Sequence, residues 1–308
     1  PAKGACYSVR NFHAQKDALL KLYGFRPGEV DLAAFPLFSL FDAALGMTSV
    51  IPDIDPARPA SCNPGKIAEA IETHRATSAF GSPAIWSRVA PWAAANGVRL
   101  KGLKRVLMAG APVPLKLVRA MRPLLDDDAD VHTPYGATEA LPVASISGRE
   151  VETTAALVEA GAGTCVGRPA STIETRLLPM VDGPIASIES VSEVPQGEVG
   201  EICFSAPQLM VGFWNRPEET STVLRGHVDE DGSSRRWLHT GDLGYMEDDG
   251  YLFIVDRKKD LIKTSGYQVW PREVEEALAR HPAVLEVGVT GVPDPVKGEA
   301  VRAYVVLR

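Results

Sequence analysis

From residue 5 to about 140 the apolar positions alternate between helical and strand-like spacing. Phe12, Leu19, Leu20 and Leu22 recur on a helix that Asn11 can cap and Gly24 can stop. Val30 to Phe38 reads as a buried strand. Asn63-Pro64 opens the next helix, a capping residue followed by the residue best tolerated at the first helical position. Ile67, Ala70, Ile71 and His74 share one face of it. The pattern then predicts a strand over 77–80, a helix over 83–96 and a strand over 103–108. A helix over 115–125 and a strand over 131–133 follow. Such alternation implies βαβ units around a parallel sheet, where ligands sit outside the carboxyl ends of the strands. From about 165 to 256 the texture shifts to short strands (174–178, 200–204, 236–239, 251–255) and a polar loop over 226–235. Beyond this, Pro271 opens a helix with Glu273, Glu275 and Glu276 near its start, and His281-Pro282 ends it. Strands over 284–289 and 300–307 complete the pattern.

The expected fold class is therefore α/β. It has a parallel or mixed sheet with flanking helices, a β-rich barrel-like subdomain, and the start of a small α+β C-terminal domain. The expected domains are a large one over 1–256 (an α/β segment, 1–164, then a β-rich segment, 165–256) and a small one over 257–308.

Composition narrows the function classes. A length of 308 residues with 45% hydrophobic content supports real cores and roughly two domains. Thirty-nine acidic against 32 basic residues give a net charge of −7, which argues against a nucleic-acid or anionic-membrane surface. No apolar run approaches the roughly 18–20 residues of a transmembrane segment. Cys6, Cys62, Cys165 and Cys203 lack C-x-x-C spacing and read as reduced thiols in a cytoplasm. The six histidines show no metal-ligand spacing.

Three stretches carry candidate chemistry. In Trp237 to Arg257 a short strand is expected to end in a Gly241-Asp242 turn, with a hairpin closing on Asp256-Arg257. That turn would leave the Asp242 carboxylate unpaired, able to accept two hydrogen bonds from a vicinal diol such as ribose. Arg257 offers a planar fork of donors to the same sugar or its phosphate. The competing reading is a surface hairpin with a solvated arginine. Val106 to Pro112 ends in small residues that let a flat ring approach the backbone. In His132 to Glu139, Tyr135 can stack on a base, worth about 1–3 kcal/mol. Thr138 can bond a phosphate oxygen, and Glu139 can hold Mg²⁺ beside it. The alternative for this stretch is a Pro-Tyr-Gly turn and a helix start capped by Thr138. Gly161 to Gly167 has the wrong spacing for a dinucleotide fingerprint and reads as a loop.

Five strings in one order carry a resemblance: Tyr135-Gly-Ala-Thr-Glu139, Gly200-Glu-Ile202, Gly212-Phe-Trp-Asn-Arg-Pro-Glu-Glu-Thr220, Thr240-Gly-Asp242 and Asp256-Arg-Lys-Lys-Asp-Leu-Ile-Lys263 with Gly266. The chain resembles, over essentially its whole length, the AMP-forming acyl-adenylating superfamily (acyl-CoA synthetases, peptide-synthetase adenylation domains and luciferases). The resemblance implies that Lys3 is the lysine of a phosphate loop. It places Gly110, Ala111 and Pro112 around adenine with Thr133, Tyr135 and Gly136. Thr138 would meet the phosphate and Glu139 the magnesium, while Asp242 and Arg257 would bind the ribose. Lys263 and Gln268 match AMP-contacting positions, and Lys259 matches the hinge about which the small domain swings.

Two departures qualify this picture. Ser39 stands where the family commonly has a histidine, so an aromatic gate over the acyl pocket is unsupported. The family's adenylation lysine falls beyond residue 308 and the chain starts without Met, so the chain reads as truncated at both ends. Losing such a donor costs about 3–4 kcal/mol, on the order of hundreds-fold in rate, and poor adenylation by this chain is expected.

Residues 1–200 resemble most the olefin β-lactone synthetases, through Phe35-Pro-Leu-Phe-Ser-Leu-Phe-Asp-Ala-Ala-Leu-Gly46, Thr133 to Pro142 and Gly161 to Gly167. Residues 237–290 resemble ordinary acyl-CoA ligases. The implied function is ATP- and Mg²⁺-dependent activation of a fatty acid through an acyl-adenylate, then transfer to CoA. One alternative is β-lactone formation from a 2-alkyl-3-hydroxy acid through the same intermediate; another is a non-catalytic AMP-binding fragment. The implied partners are a small carboxylic acid and CoA, with no nucleic acid. Phe35, Leu37, Phe38, Leu40 and Phe41 can line a greasy acyl pocket or form plain core.

Overall fold

The computed structural model describes residues 3–180, 192–228 and 234–308. β1 (Ala5–Cys6) leads into α1 (Val9–Tyr23). The cap of α1 is Ser8 rather than the expected Asn11. Ser8 is extended (φ −82°, ψ 160°), its hydroxyl accepts the Asn11 N–H at 3.2 Å, and the Asn11 side chain accepts the Ser8 N–H at 3.0 Å. Asn11 is thus the third helical residue of a reciprocal capping box. Gly24, at φ +62°, ends the helix as expected.

β2 (Val30–Ala33) stops well short of Phe38. Pro36 has no N–H to extend a ladder and opens a short 3-10 turn. The Ser39 hydroxyl then donates to the Pro36 carbonyl at 2.7 Å, and α2 (Ser39–Leu45) begins. The chain continues with β3 (Thr48–Val50), α3 (Pro64–His74), β4 (Ser78–Gly81), α4 (Pro83–Ala95), β5 (Arg105–Met108) and α5 (Leu115–Met121). α3 starts at Asn63 as the sequence predicts, with Asn63 Oδ1 accepting the Gly65 and Lys66 N–H groups. Next come β6 (Asp130–Ala137), β7 (Ala140–Ser147), α6 (Gly148–Glu159) and β8 (Thr164–Pro169).

The later elements are β9 (Glu174–Leu178), β10 (Gly200–Ser205), β11 (Gly212–Phe213), α7 (Pro217–Val223), β12 (Leu224–Val228), β13 (Ser234–Met246) and β14 (Leu252–Arg257). They end with β15 (Ile262–Thr264), β16 (Tyr267–Val269), α8 (Pro271–Ala279), β17 (Val284–Asp294) and β18 (Gly298–Leu307). The loop expected over 226–235 is strand at both ends, and its residues 229–233 lie outside the described residues.

Two compact units divide these elements. The first holds 1–155, 166–173 and 206–215; the second holds 156–165, 174–205 and 216–308. The predicted boundary at 257 falls inside the second unit. In the first unit the strand order is β3-β2-β4-β5-β6-β7-β8, parallel as far as β6 and antiparallel from there. β1 and β11 form a separate two-residue ladder. Trp86, Leu32, Ile67, Ile71, Val106 and Met108 form the main core beneath the parallel strands. Phe38 stacks on Phe80 with centroids 4.0 Å apart, and Phe41 stacks on Phe12 at 5.0 Å. Phe38 and Phe41 are therefore core, whereas Phe35, Leu37 and Leu40 are exposed.

Gly161 to Gly167 is not the loop expected throughout, because β8 starts at Thr164. Gly167 makes this possible: at φ +85°, a Cβ there would sit 2.0 Å from the Ser145 carbonyl oxygen on β7. Gly167→Ala is expected to destabilise the fold by about 2–3 kcal/mol through a forbidden backbone angle and that clash. A urea denaturation midpoint equal to wild type would contradict this.

In the second unit β10 pairs with β9 and β13, and β13 pairs with β12 and β14. A separate four-stranded sheet runs β16-β15-β18-β17, and α8 packs against β17.

Candidate functional site

The predicted site residues fall into two groups, one in each unit. In the first unit, β5 ends at Met108, and its last partner on β6 is His132, opposite Leu107. Residues 133–137 of β6 therefore run on past the carboxyl end of β5, paired only with β7. Pro134 is tolerated there because no β5 carbonyl needs its missing N–H. Gly110 follows β5 at φ +91°, with Ala111 and Pro112 both exposed. Thr133 and Tyr135 are half-buried and Gly136 is exposed.

β6 and β7 make a tight hairpin, so the alternative of a helix capped by Thr138 is not what forms. The ladder shifts register between Tyr135 and Ala137, and a Cβ on Gly136 would meet the Ala140 carbonyl at 2.8 Å. Only glycine fits that bulge without displacing the backbone. Thr138 and Glu139 form the hairpin turn, which is held by its main chain. The Met210 N–H donates to the Glu139 carbonyl at 2.9 Å, and the Tyr7 hydroxyl donates to the Thr138 carbonyl.

Tyr7 is a site residue the sequence does not single out. Burial and then the Glu139 charge push its hydroxyl well above the ordinary tyrosine range, so it stays a proton donor. Its only sequence signal is proximity to Lys3. The Lys3 ammonium sits 4.9 Å from the Phe213 ring centroid, a cation–π contact. Elsewhere in this unit a cavity of about 370 Å³ is lined by Lys21, His132, Ser145, Glu150, Arg168 and Thr172 among others, none of them a predicted site residue.

In the second unit, β13 runs unbroken through Thr240, Gly241 and Asp242, so the expected turn at Gly241-Asp242 is absent. Gly241 takes φ +70° and the ladder to β14 shifts register after Leu243, which absorbs the irregularity within the strand. The hairpin turn lies later, at residues 247–250, where the Gly250 N–H donates to the Glu247 carbonyl at 2.9 Å.

The Asp242 carboxylate is also paired, contrary to expectation. Asp242 and Arg257 are direct cross-strand partners, and Arg257 Nε lies 3.1 Å from Asp242 Oδ1. Asp242 is buried and the Arg257 side chain is exposed. Thr240 braces the acid: its hydroxyl donates to the Ile202 carbonyl at 2.7 Å and accepts the Asp242 N–H at 3.0 Å. Lys259 lies in a 3-10 turn, Lys258–Asp260. Lys263 and Gln268, both exposed, are register partners on β15 and β16.

Magnesium in a nucleotide site needs one or two carboxylates, with water and phosphate oxygens completing its shell. A single half-buried acid, Glu139, beside the Thr138 hydroxyl on a main-chain-held turn fits that donor set. Among the described residues no group of three or more His, Cys, Asp or Glu could hold a metal, and no helix is long and apolar enough to cross a membrane.

Comparison with known proteins matches residues 1–214 to the family described as AMP-binding enzyme, and residues 273–308 to the AMP-binding enzyme C-terminal domain. An olefin beta-lactone synthetase of Stenotrophomonas maltophilia is 40% identical over 299 residues, covering 96% of this chain and 53% of that protein. A long-chain-fatty-acid–CoA ligase of Escherichia coli is 30% identical over 311 residues, covering 99% and 50%. The structure of o-succinylbenzoate coenzyme A synthetase from Bacillus subtilis, in complex with ATP and magnesium, superposes with a TM-score of 0.74. It is 26% identical and covers 99% of this chain and 57% of that one. The chain spans about half the length of the curated relatives it matches.

Proposed function

Because the chain belongs to the AMP-binding enzyme family, we propose that it serves ATP-dependent activation of a fatty acid, forming an acyl-adenylate whose acyl group passes to CoA. The observation that carries the reading is the Asp242–Arg257 pair, a buried acid aligned across two strands with an exposed guanidinium. Asp242 accepts hydrogen bonds from the ribose hydroxyls and Arg257 donates to the same sugar. Tyr135 lies against adenine, near the Gly110, Ala111 and Pro112 backbone, with Thr133 and Gly136 beside it. The Thr138 hydroxyl donates to a phosphate oxygen, Lys3 adds positive charge, and Glu139 holds magnesium. Magnesium bound there would neutralise phosphate charge.

An acid's carboxylate is already nucleophilic, so these residues position and neutralise rather than remove a proton. Its oxygen attacks the α-phosphorus, the bridging P–O bond to the β-phosphate breaks, and pyrophosphate leaves. The acceptor then attacks the acyl carbon and AMP departs with the electrons of the C–O bond. The small domain, 257–308, swings about Lys259 between these steps, with Lys263 and Gln268 contacting AMP. Four free cysteines suit a reducing compartment such as the cytoplasm.

A second reading, favoured by 40% identity to an olefin beta-lactone synthetase, keeps the first step and replaces CoA with the substrate's own 3-hydroxyl. Full-length protein is incubated with ATP and either a fatty acid plus CoA or a 2-alkyl-3-hydroxy acid alone, and AMP is measured. CoA-dependent release supports transfer to CoA, and CoA-independent release from the hydroxy acid supports lactone formation. No AMP in either reaction overturns the activation reading.

A further inference from the structure

We propose that Glu201 is a positioning residue for the Asp242–Arg257 pair, acting through Lys258. The proposal rests on the ribose-binding reading of that pair. Glu201 lies on β10, with only 4% of its surface exposed. Its Oε2 accepts a hydrogen bond from the Lys258 ammonium at 3.1 Å, and its Oε1 lies 3.8 Å from His239 Nδ1. His239 Nδ1 in turn is 3.4 Å from Cys203 Sγ.

The strand register explains how a buried acid can govern a pair it does not touch. Glu201 is opposite Leu243, and Leu243 is opposite Asp256, whereas Asp242 is opposite Arg257. Side chains alternate between the faces of a strand, so Asp256 lies on the face opposite Arg257, and Lys258, the first residue of the turn after the strand, sends its ammonium to Glu201. Drawing Lys258 inward to Glu201 therefore holds Arg257 outward, on the face that carries Asp242. The Asp256 carboxylate supports the same arrangement, accepting the Arg257 N–H at 2.7 Å and the Arg272 N–H at 3.3 Å.

Stability alone is a poor reason for this arrangement. A buried ion pair forfeits much of its Coulomb energy to desolvation, and well-packed apolar side chains often serve as well, but an ion pair can dictate register. Burial works against ionisation of Glu201, yet the neighbouring His239 ring and the Lys258 hydrogen bond and charge hold its carboxyl down to about 2. The acid thus remains a fixed negative anchor across the working pH range. Burial and the Glu201 charge push the Cys203 thiol well up, so the neighbouring sulfur stays neutral.

The test compares ATP with 3′-deoxy-ATP, which lacks one ribose hydroxyl, by isothermal titration of the full-length protein. Wild type is expected to favour ATP by about tenfold, the worth of one hydrogen bond to a charged group. In Glu201→Gln and in Lys258→Met the preference is expected to fall to about twofold or less, because the partners lose their alignment. Lys258→Arg is expected to restore it, and the double variant to be no worse than either single one. Circular dichroism identifies variants that do not fold, and Lys258→Met, altering a part-exposed residue, carries the test if Glu201→Gln is one of them. Equal binding of both nucleotides by wild type, or no binding, overturns the ribose reading itself. Wild-type discrimination that Glu201→Gln and Lys258→Met fully retain overturns the role of Glu201 and leaves the ribose reading standing.

Discussion

Glu139→Gln lowers acid-dependent ATP–pyrophosphate exchange by about two to three orders of magnitude, the usual cost of removing one charge-stabilising group at a reacting phosphate. The substitution isolates the charge. The turn that carries Glu139 is anchored through the carbonyls of Thr138 and Glu139, which bond Tyr7 and Met210. A neutral isostere leaves those bonds in place and removes only the carboxylate proposed to hold magnesium. Two readouts accompany the rate: the Mg²⁺ concentration for half-maximal exchange rises, and the melting temperature stays close to wild type. Exchange within threefold of wild type at limiting Mg²⁺ would remove Glu139 from the metal site. A parallel loss of thermal stability would instead mark it as a structural residue.

The second large effect concerns stability. Asp31 on β2 and Asp42 on α2 are both fully buried, and no carboxylate oxygen of either has a hydrogen-bond partner among the described residues. Burial, then the Asp42 charge, raises Asp31 to about 7, against the Ser78 hydroxyl and the Arg105 charge, which pull it down. Burial raises Asp42 to about 6, opposed by the Ser49 hydroxyl.

For a raised carboxyl the folded chain keeps a proton that the unfolded chain releases. Its contribution is complete below the unfolded value of 3.8 and is lost as pH climbs to about 7. A difference of about three units corresponds to ~4 kcal/mol. Asp31→Asn should therefore match wild type near pH 4, exceed its stability by up to ~4 kcal/mol at pH 8, and flatten the fall between. Urea denaturation at pH 4, 6 and 8 decides the matter, and an unchanged pH slope would rule out Asp31 as its source. Glu29 nearby behaves oppositely: burial opposes its charge, but bidentate bonding from Arg105, at 2.6 and 3.1 Å, holds it below the ordinary range. Glu29 thus holds Arg105 in a direct ion pair, whereas among the described residues neither Asp31 nor Asp42 has a cation within ion-pair distance.

Local chemistry explains which elements of the fold could be read without coordinates. Asn63-Pro64 starts a helix and Gly24 ends one because capping and left-handed termination depend on residues within one turn. The α/β alternation and the helix at Pro271 follow equally from short-range periodicity. The errors share a different origin. Val30 to Phe38 is apolar apart from Asp31, which cannot distinguish a strand from a strand followed by a proline-broken turn. Asn11 and Ser8 are both good caps, and only the backbone angles choose between them. Phe35 to Phe41 suit a pocket or a core equally well, and ring stacking on Phe80 and Phe12 decides for Phe38 and Phe41.

The candidate site divides the same way. The amino-acid order alone determined which chemistry is present: a phenol, a hydroxyl and an acid within five residues, a Gly-Asp pair, and an Asp-Arg pair that together resemble a nucleotide-activating family. Only the tertiary structure decided how those groups are held: Asp242 against Arg257, the Thr138–Glu139 turn on Tyr7 and Met210, and Lys258 on Glu201. These partners lie from 15 to more than 130 residues apart in the chain. Residue type and spacing are local properties, whereas the pairing of a charge or carbonyl depends on which strands become neighbours. That choice is made by burial of the whole core, and no short window of sequence contains it.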